Sequence, residues 1–487
     1  MNVTFSDGTR HEYEDQPFAR GGQGVLHRAK DGRHVVKLYT TLTAKQASAR
    51  AEQVDKIVGQ YNVVAGDPYW DELFTWPDRR VRAPGPGVRM RRVEGLTRMD
   101  HYFYKHAYLR LPPEQKGWWI GRVACAIKLA RAVGRLSNRG LCHSDLSDKN
   151  LMVDPFSGRL TILDCDSLVV PGVLPAAVEG TADYMAPEIV AGRAHPTTLT
   201  DLHALAVLLY RWLLYRHPLR GPKHHADDPD LDDRLLLGER ALYIEHPDDN
   251  SNRPRKLQFT ADELLMPRMA DLFREAFVDG LHAPYKRPVP GRWEEALIEL
   301  LDAVVPCPNG ACEVKFFVAH DARPLRCPVC HTDANFPARI PFLKLYAPLG
   351  SGGASMPSDS GATAYGNEGR YPRYVVGWPE RPLYGWHADP AIHPVPDASG
   401  APPDTRPRAL LRYDAGGGSW YLENLALSHL RVSAAAGVPL VTALAGDVEW
   451  LEVPPGARVA LRQGAALLLG LEGRGRMAYV ELRRARS

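Results

Sequence analysis

The sequence predicts a multidomain α+β protein. Three observations carry that prediction: a length beyond one core, apolar spacing that changes from strand-like to helix-like near residue 118, and four clustered cysteines followed by an all-β pattern. The chain's 487 residues exceed the roughly 250 to 300 at which a single core stops growing. Its 45% apolar content is enough to fill several cores. With 60 Lys+Arg against 57 Asp+Glu, the formal charge of +3 gives no electrostatic case for nucleic acid or an anionic membrane as partner. The N-terminal run Met1 to Asp7 has neither a basic nor an apolar signal region, and the longest greasy stretch, Leu202 to Tyr215, is broken by His203 and Arg211. A cytoplasmic protein is therefore expected. Cys125, Cys142 and Cys165 stand singly in apolar contexts while Cys307, Cys312, Cys327 and Cys330 cluster, a division that suits a reducing compartment and one metal site.

Taken in order, the first part reads as strands and turns with one helical stretch, as in His34 to Tyr39 after the Asp31-Gly32 turn. From Trp118 the apolar residues recur at three and four, notably in Ile120 to Leu136 and Leu202 to Leu214. A small lobe over 1–93 and an α-rich lobe over 94–303 follow from this change of period. Residues 304–345 form the four-cysteine unit. The Gly/Pro/Ser-rich stretch 346–408, with Gly350 to Gly353 and Gly400 to Pro403, reads as linker. Within it Trp378, Trp386 and His387 predict that Trp378 to Pro396 packs onto something. Residues 409–487 read as an all-β sandwich, with short apolar runs Leu440 to Leu444, Val448 to Val453, Ala457 to Leu461 and Ala466 to Leu469 between Gly and Pro turns.

Four separated elements fall in the order that phosphoryl transfer from ATP requires. Ala19 to Leu26 holds Gly21, Gly22 and Gly24, a turn whose backbone N–H groups can approach phosphate oxygens, although alone it is equally an ordinary hairpin. Lys37 follows in a β-like run, and Glu52 in the next helical stretch can hold it by an ion pair. His143 to Asn150 puts Asp145 and Asn150 on one loop, suiting a carboxylate that orients an acceptor hydroxyl and a carboxamide that takes a metal; alone it is equally a capped polar loop. Leu160 to Asp166 is a short strand ending in acid, which can present Asp164 to Mg²⁺ or merely form a turn.

These residues resemble the protein kinase family over about residues 10 to 303, which implies a bilobal protein-kinase-like fold. Gly180 to Glu188 looks like the end of that family's activation segment, Asp201 to Leu205 like the next helix start, and Arg287 like the arginine that pairs with the position of Glu188. The resemblance implies that Gly21, Gly22 and Gly24 cover the phosphates, that Lys37 holds them and that Glu52 positions Lys37. It implies that Met90 to Val93 forms the adenine hinge and that Met152 lies under the ring. Asp145 would be the base, Asn150 and Asp164 the Mg²⁺ ligands, and Thr181 a brace beside Asp145.

The sequence also departs from the family's pattern. Ala19 replaces the first glycine, Ser144 the arginine beside the base, Ser147 a lysine facing the γ-phosphate, and Cys165-Asp166 the usual Phe-Gly. Between Asp164 and Gly180 the only hydroxyl is Ser167, so a switch by activation-segment phosphorylation is not expected. The expected activity is ATP- and Mg²⁺-dependent transfer of phosphate to Ser or Thr of a protein substrate, in signalling. An ATP-binding pseudokinase scaffold is the alternative; a small-molecule phosphotransferase is disfavoured by the peptide-binding run Gly180 to Glu188.

Cys307-x4-Cys312-x14-Cys327-x2-Cys330 predicts a small zinc ribbon with a closed, structural Zn²⁺ shell, with His331 as a substitute ligand. Trp76-Pro77, Gly238 to Pro247, Arg292-Trp293 and the cysteines resemble bacterial kinases of the tellurite-resistance-associated phosphorylation triad. That resemblance implies a metal-dependent protein phosphatase and a von Willebrand A-domain protein as partners. The tail is weakly similar to forkhead-associated domains through Ser428-His429 and Leu461 to Gly464.

Overall fold

The structure, a computed structural model, describes the chain except residues 41, 65, 175–179, 258, 313, 321–323, 334–338, 350–364, 368–370, 395–403, 436 and 484–487. Gly350 to Gly353 and Gly400 to Pro403 thus lie outside the described residues. The chain divides into two units, one of residues 1–117, 121–260 and 271–294, the other of 118–120, 261–270 and 295–487. Most of both expected lobes falls in the first unit, but 118–120, 261–270 and 295–303 belong to the second, and the units part inside the helix Pro290–Asp302, between Glu294 and Glu295.

The first unit opens with β1 (Asn2–Phe5), β2 (Arg10–Glu12), β3 (Ala19–Gly21), β4 (Gly24–Arg28), β5 (His34–Tyr39), β6 (Pro77–Ala83) and β7 (Gly87–Arg91). They form one antiparallel sheet in the order β2-β1-β6-β7-β5-β4-β3. Side chains alternate across a strand, so β5 sends Val36 into a core with Val3, Phe5, Tyr13 and Val81, and sends Val35 and Tyr39 into another with Val54, Val88 and Met90. Lys37 shares the parity of Val35 and Tyr39, the face covered by helix α1 (Ala44–Val58). Thr43 and Gln46 start that helix with a reciprocal capping box.

The helical part of the unit is built on α2 (Trp119–Ser137) and α3 (Thr198–Leu214). Helix α3 is apolar nearly all round, as expected of a helix buried on every side, and all of its residues from Thr200 to Leu214 except Arg211 are buried. A small sheet of β8 (Thr97–Arg98), β9 (Leu151–Asp154) and β10 (Arg159–Ile162), ordered β10-β9-β8, carries the two loops that matter for chemistry. Arg287, buried, donates to both oxygens of Glu188 at 2.8 and 2.7 Å and ties the end of the unit to the segment after Gly180.

The second unit has a two-stranded ribbon, β11 (Val304–Pro306) and β12 (Phe316–Val318), beside the cysteines. Its remaining strands are β13 (Ile340–Pro348), β14 (Tyr365–Gly366), β15 (Arg373–Val376), β16 (Arg381–Leu383), β17 (Ala409–Asp414), β18 (Ser419–Asn424), β19 (Arg431–Ser433), β20 (Trp450–Glu452), β21 (Arg458–Ala460), β22 (Ala466–Leu468) and β23 (Met477–Arg483). One sheet runs β14-β13-β23-β22-β19-β20 with β15 paired to β13; the other runs β16-β17-β18-β21. Leu343, Val375 and Val480 of the first sheet and Leu383, Leu411 and Leu422 of the second share one core, the pattern of a sandwich.

This sandwich draws strands from 340 onward and so takes in described parts of the stretch expected as linker. His387, fully buried, accepts the Tyr384 N–H at Nδ1, and its Nε2 lies 3.1 Å from Asp302, whose other oxygen accepts from Arg381 at 2.7 Å. That is why the stretch from Trp378 carries residues a solvated linker would not need; its expected end, Val395-Pro396, lies outside the described residues. The run expected as a strand at Leu440 to Leu444 is instead the helix Leu440–Ala445, which Gly446 ends in a left-handed turn. A five-residue run has no periodicity that separates strand from helix. Among the described residues, no helix is long and apolar enough to cross a membrane.

Burial makes the first unit acid-sensitive. Burial pushes His203 well below the usual histidine range and His217 down to about 4, and His217 is pinned neutral, with Nε2 2.8 Å from the Asp183 carbonyl and Nδ1 accepting from the Leu219 N–H. The unfolded chain therefore binds protons that the native state refuses once pH drops below about 6.5, so stability present at pH 7 is lost towards pH 4. Urea unfolding at pH 7 and 4.5 should show a loss on the order of 3 kcal/mol that His217→Gln reduces. A stability independent of pH over this range would contradict the assignment.

Candidate active site and cysteine cluster

Pairing of Gly21 with Gly24 makes Gly22-Gln23 a tight turn between β3 and β4. A Cβ added at Gly21 or Gly22 would meet nothing within 4 Å, so the turn's backbone faces open space. Gly24 differs, because a Cβ there would lie 2.4 Å from the Leu38 carbonyl oxygen; it is required by the close approach of β4 to β5.

Lys37 does not meet Glu52. Helix α1 buries Arg50, Gln53, Val54 and Ile57, a stripe at spacings of three and four. Glu52 is about 100° from Gln53 and 200° from Arg50 around the helix, which turns it outward. Its side chain is 71% exposed and pairs with Lys56 one turn on, at 2.8 Å. The expected Lys37–Glu52 pair is thereby corrected. The Lys37 ammonium lies 3.0 Å from Asp164 and 3.1 Å from Asp166. Asp166, with a side chain 0% exposed, also accepts from the Tyr39 hydroxyl at 2.7 Å and faces Arg50 at 3.6 Å. Burial alone would raise the Asp166 carboxyl, but Lys37 and Arg50 outweigh it and hold it below the carboxylate range. Burial likewise disfavours the Lys37 ammonium, and Asp166 and Asp164 more than compensate.

The loop from His143 to Asn150 is built from below. Asp201, buried near the start of α3, accepts the backbone N–H groups of His143 and Ser144 at 2.6 and 3.3 Å. The His143 ring nitrogen Nε2 sits 2.8 Å from the Leu163 carbonyl, and the Leu163 N–H reaches the Asn150 carbonyl at 2.8 Å, so this loop and the acidic strand end are one hydrogen-bonded body. Asn150 donates from Nδ2 to the Asp145 carbonyl at 2.8 Å and to Asp145 Oδ2 at 3.0 Å, which commits its nitrogen and leaves the amide oxygen for a cation. Thr181 donates to Asp145 Oδ1 at 2.7 Å. Asp164 is 42% exposed on its side chain and adopts a left-handed backbone, φ 58°, that a non-glycine residue takes only when its surroundings impose it. The donor set of Asp164 and Asn150, two hard oxygen ligands at the end of a sheet, fits Mg²⁺.

Of the remaining expected residues, Met90 lies inside β7, opposite Val35 and in the core with it, and only Arg92 and Val93 fall beyond the strand. Met152 is half-buried on β9 opposite Thr161. Ser147 is buried and cannot face a phosphate, while Lys149 is exposed. Ser167 is buried, with its hydroxyl turned to the Asp164 carbonyl at 3.4 Å. Sequence reasoning missed Tyr39 and Arg50, although the parity of β5 places Tyr39 beside Lys37 and the apolar positions Val54 and Ile57 place Arg50 on the inner stripe of α1. It also missed Asp183, which pairs with Arg220 at 2.8 Å and Arg211 at 3.5 Å just after Gly180.

In the second unit, Cys307 and Cys330 have sulfurs 3.5 Å apart, Cys312 and Cys327 3.9 Å, and all four lie within 4.8 Å of one another. A tetrahedral zinc with Zn–S of about 2.3 Å needs sulfur separations of about 3.8 Å, so this cage can hold such an ion. The knuckle is formed by backbone bonds: His331 N–H to the Cys327 carbonyl at 2.9 Å and Cys307 N–H to the Lys315 carbonyl at 2.7 Å. His331, at φ 57°, is occupied in that turn and is not among the four clustered ligands. Cys330 is slightly buried, but the Thr332 hydroxyl and N–H outweigh this and hold its thiol down at about 6, while burial pushes the neighbouring Cys307 and Cys327 thiols up.

Residues 122–275 match the protein kinase domain family. The chain is 23% identical over 221 residues to a protein from Schizosaccharomyces pombe described as serine/threonine-protein kinase sck2, covering 43% of this chain and 33% of that protein. It is 32% identical over 117 residues to serine/threonine-protein kinase PknD of Chlamydia pneumoniae, covering 20% of this chain and 12% of that one. Against serine/threonine-protein kinase pkn2 of Myxococcus xanthus it is 29% identical over 187 residues, 34% of this chain and 22% of the relative. The chain thus spans a third or less of the length of these relatives. It carries a region that matches the protein kinase domain, and these relatives are described as serine/threonine-protein kinases.

Elemental analysis of the purified chain should find one zinc per chain. Cys312→Ser should lose it and lower the unfolding midpoint of the second unit, since a closed thiolate site contributes on the order of 10 kcal/mol to folding. A metal-free wild-type chain with an unchanged midpoint would contradict a structural zinc.

Proposed function

We propose that the chain is an ATP- and Mg²⁺-dependent protein kinase that phosphorylates Ser or Thr of a partner protein. One observation carries this reading: Lys37, Asp145, Asn150 and Asp164, far apart in sequence, are held in one hydrogen-bonded body, with Thr181 fixing Asp145. Mg·ATP supplies the transferable phosphoryl group and the cation charge.

The chain's own residues then divide the work. Gly21 and Gly22 present backbone N–H groups to phosphate oxygens, and Lys37 adds a positive charge. Asn150 and Asp164 offer oxygens to the cation. Asp145, braced by Thr181 and Asn150, orients the acceptor hydroxyl and takes its proton, so that positioning and electrostatics supply most of the rate. Arg92 and Val93 border the adenine side, with Met90 behind them and Met152 beneath.

Activation does not depend on a phosphate in the segment before Gly180. Its one hydroxyl, Ser167, is buried. The guanidiniums of Arg211 and Arg220 beyond it already hold Asp183. The partners taken from the resemblance are a metal-dependent protein phosphatase and a von Willebrand A-domain protein. A second reading, a pseudokinase that binds ATP without transfer, is favoured by the burial of Ser147 where a lysine would face the γ-phosphate.

Mass spectrometry before and after incubation with Mg·ATP and a Ser/Thr peptide mixture separates the two. Wild type and Ser167→Ala should both transfer phosphate, and Asp145→Asn should fall by about 100-fold or more. Bound ATP with no transfer by wild type would favour the pseudokinase.

A further inference from the structure

We propose that Asp166 is the positioning residue for Lys37, in place of an acid on the covering helix, and that Arg50 ties this anion to helix α1 and to the glycine turn. The inference rests on the proposed function only in taking Lys37 as the group that holds phosphate.

The geometry assigns each contact. Asp166 Oδ1 accepts from Lys37 at 3.1 Å, while Oδ2 accepts from Tyr39 at 2.7 Å and faces Arg50 at 3.6 Å. Arg50 also donates to Gln53 at 2.9 Å and to Gln23 of the glycine turn at 3.2 Å, and Gln53 donates to the Leu168 carbonyl at 3.0 Å. The buried face of α1 is Arg50, Gln53, Val54 and Ile57, with no carboxylate. The helix therefore offers a cation where a counter-ion for Lys37 would be expected, and the acid comes from the strand end two residues past Asp164. Asp164 is exposed and is the oxygen donor a cation would recruit, whereas Asp166 is fully buried. When Asp164 turns to a cation, Asp166 remains to aim the Lys37 ammonium. The cluster also joins the turn that covers the phosphates to the segment that binds the cation, through Gln23, Arg50 and Asp166.

The test is calorimetric titration of the full chain with ADP and, separately, with adenosine, both in Mg²⁺. Asp166→Asn should weaken ADP about tenfold, the value of one charge-assisted phosphate contact, and leave adenosine unchanged. In a Lys37→Met background the same substitution should add nothing, because both changes remove one interaction. Glu52→Gln should bind both ligands as wild type does. If Asp166→Asn loses its cooperative unfolding transition, Tyr39→Phe, which keeps the anion but removes its hydroxyl donor, replaces it and should show the same selective loss at about threefold.

Equal losses for ADP and adenosine, no loss for either, or an ADP-selective loss in Glu52→Gln would overturn the proposal. Wild type that binds ADP yet transfers no phosphate would contradict the proposed kinase activity and leave this test intact. Wild type that binds no ADP would overturn both.

Discussion

The buried ion cluster of Lys37, Asp166 and Arg50 is the constraint on which the rest of the site depends. Each of these charges would cost several kcal/mol if buried alone, and the cost is met only when geometry and hydrogen bonds are good together. Asp166 meets that condition with contacts to Lys37, Tyr39 and Arg50 on its two oxygens. Removing any member would strand the others, so the cluster acts as a single unit that locks β5, α1 and the acidic strand end together. One member, Lys37, is the lysine proposed to hold phosphate, and another, Arg50, reaches Gln23 of the glycine turn.

A second constraint holds the chemistry from the opposite side. Asp201 fixes the backbone of His143 and Ser144, His143 reaches Leu163, and Leu163 bonds Asn150. The left-handed backbone of Asp164 is the visible cost of this arrangement. Strain of this kind persists only where surroundings over-determine it, and here they are the ion cluster on one side and the Asp201-anchored loop on the other. Within this frame Asp145 is aimed by two short contacts, from Thr181 and Asn150.

Much of this was legible in the sequence because it depends on local rules. The parity of β5, the run of glycines at 21, 22 and 24, and the spacing from Asp145 to Asn150 each follow from backbone geometry. The pairing of Arg287 with Glu188, 99 residues away, was reachable only through the family resemblance. Glu52 was misread because an acid in the right helix was taken for an acid on the right face. The positions of Val54 and Ile57 already turn it outward. The Leu440 run was misread because a stretch of five residues is too short to carry a period. The extent of the sandwich was hidden because β15 and β16 lie in a region rich in Gly and Pro, β13 straddles the boundary expected between the four-cysteine unit and that region, and β pairing over more than a hundred residues leaves no local signal. The His387–Asp302–Arg381 cluster explains in retrospect why His387 and its tryptophan neighbours stand there.

The most direct test of this arrangement is an experimental structure of the full chain with Mg·ADP. Lys37 should lie within hydrogen-bonding reach of both Asp166 and a phosphate oxygen, with Arg50 on Asp166 and Glu52 in solvent. A Lys37–Glu52 ion pair, with Asp166 turned away from the lysine, would contradict it.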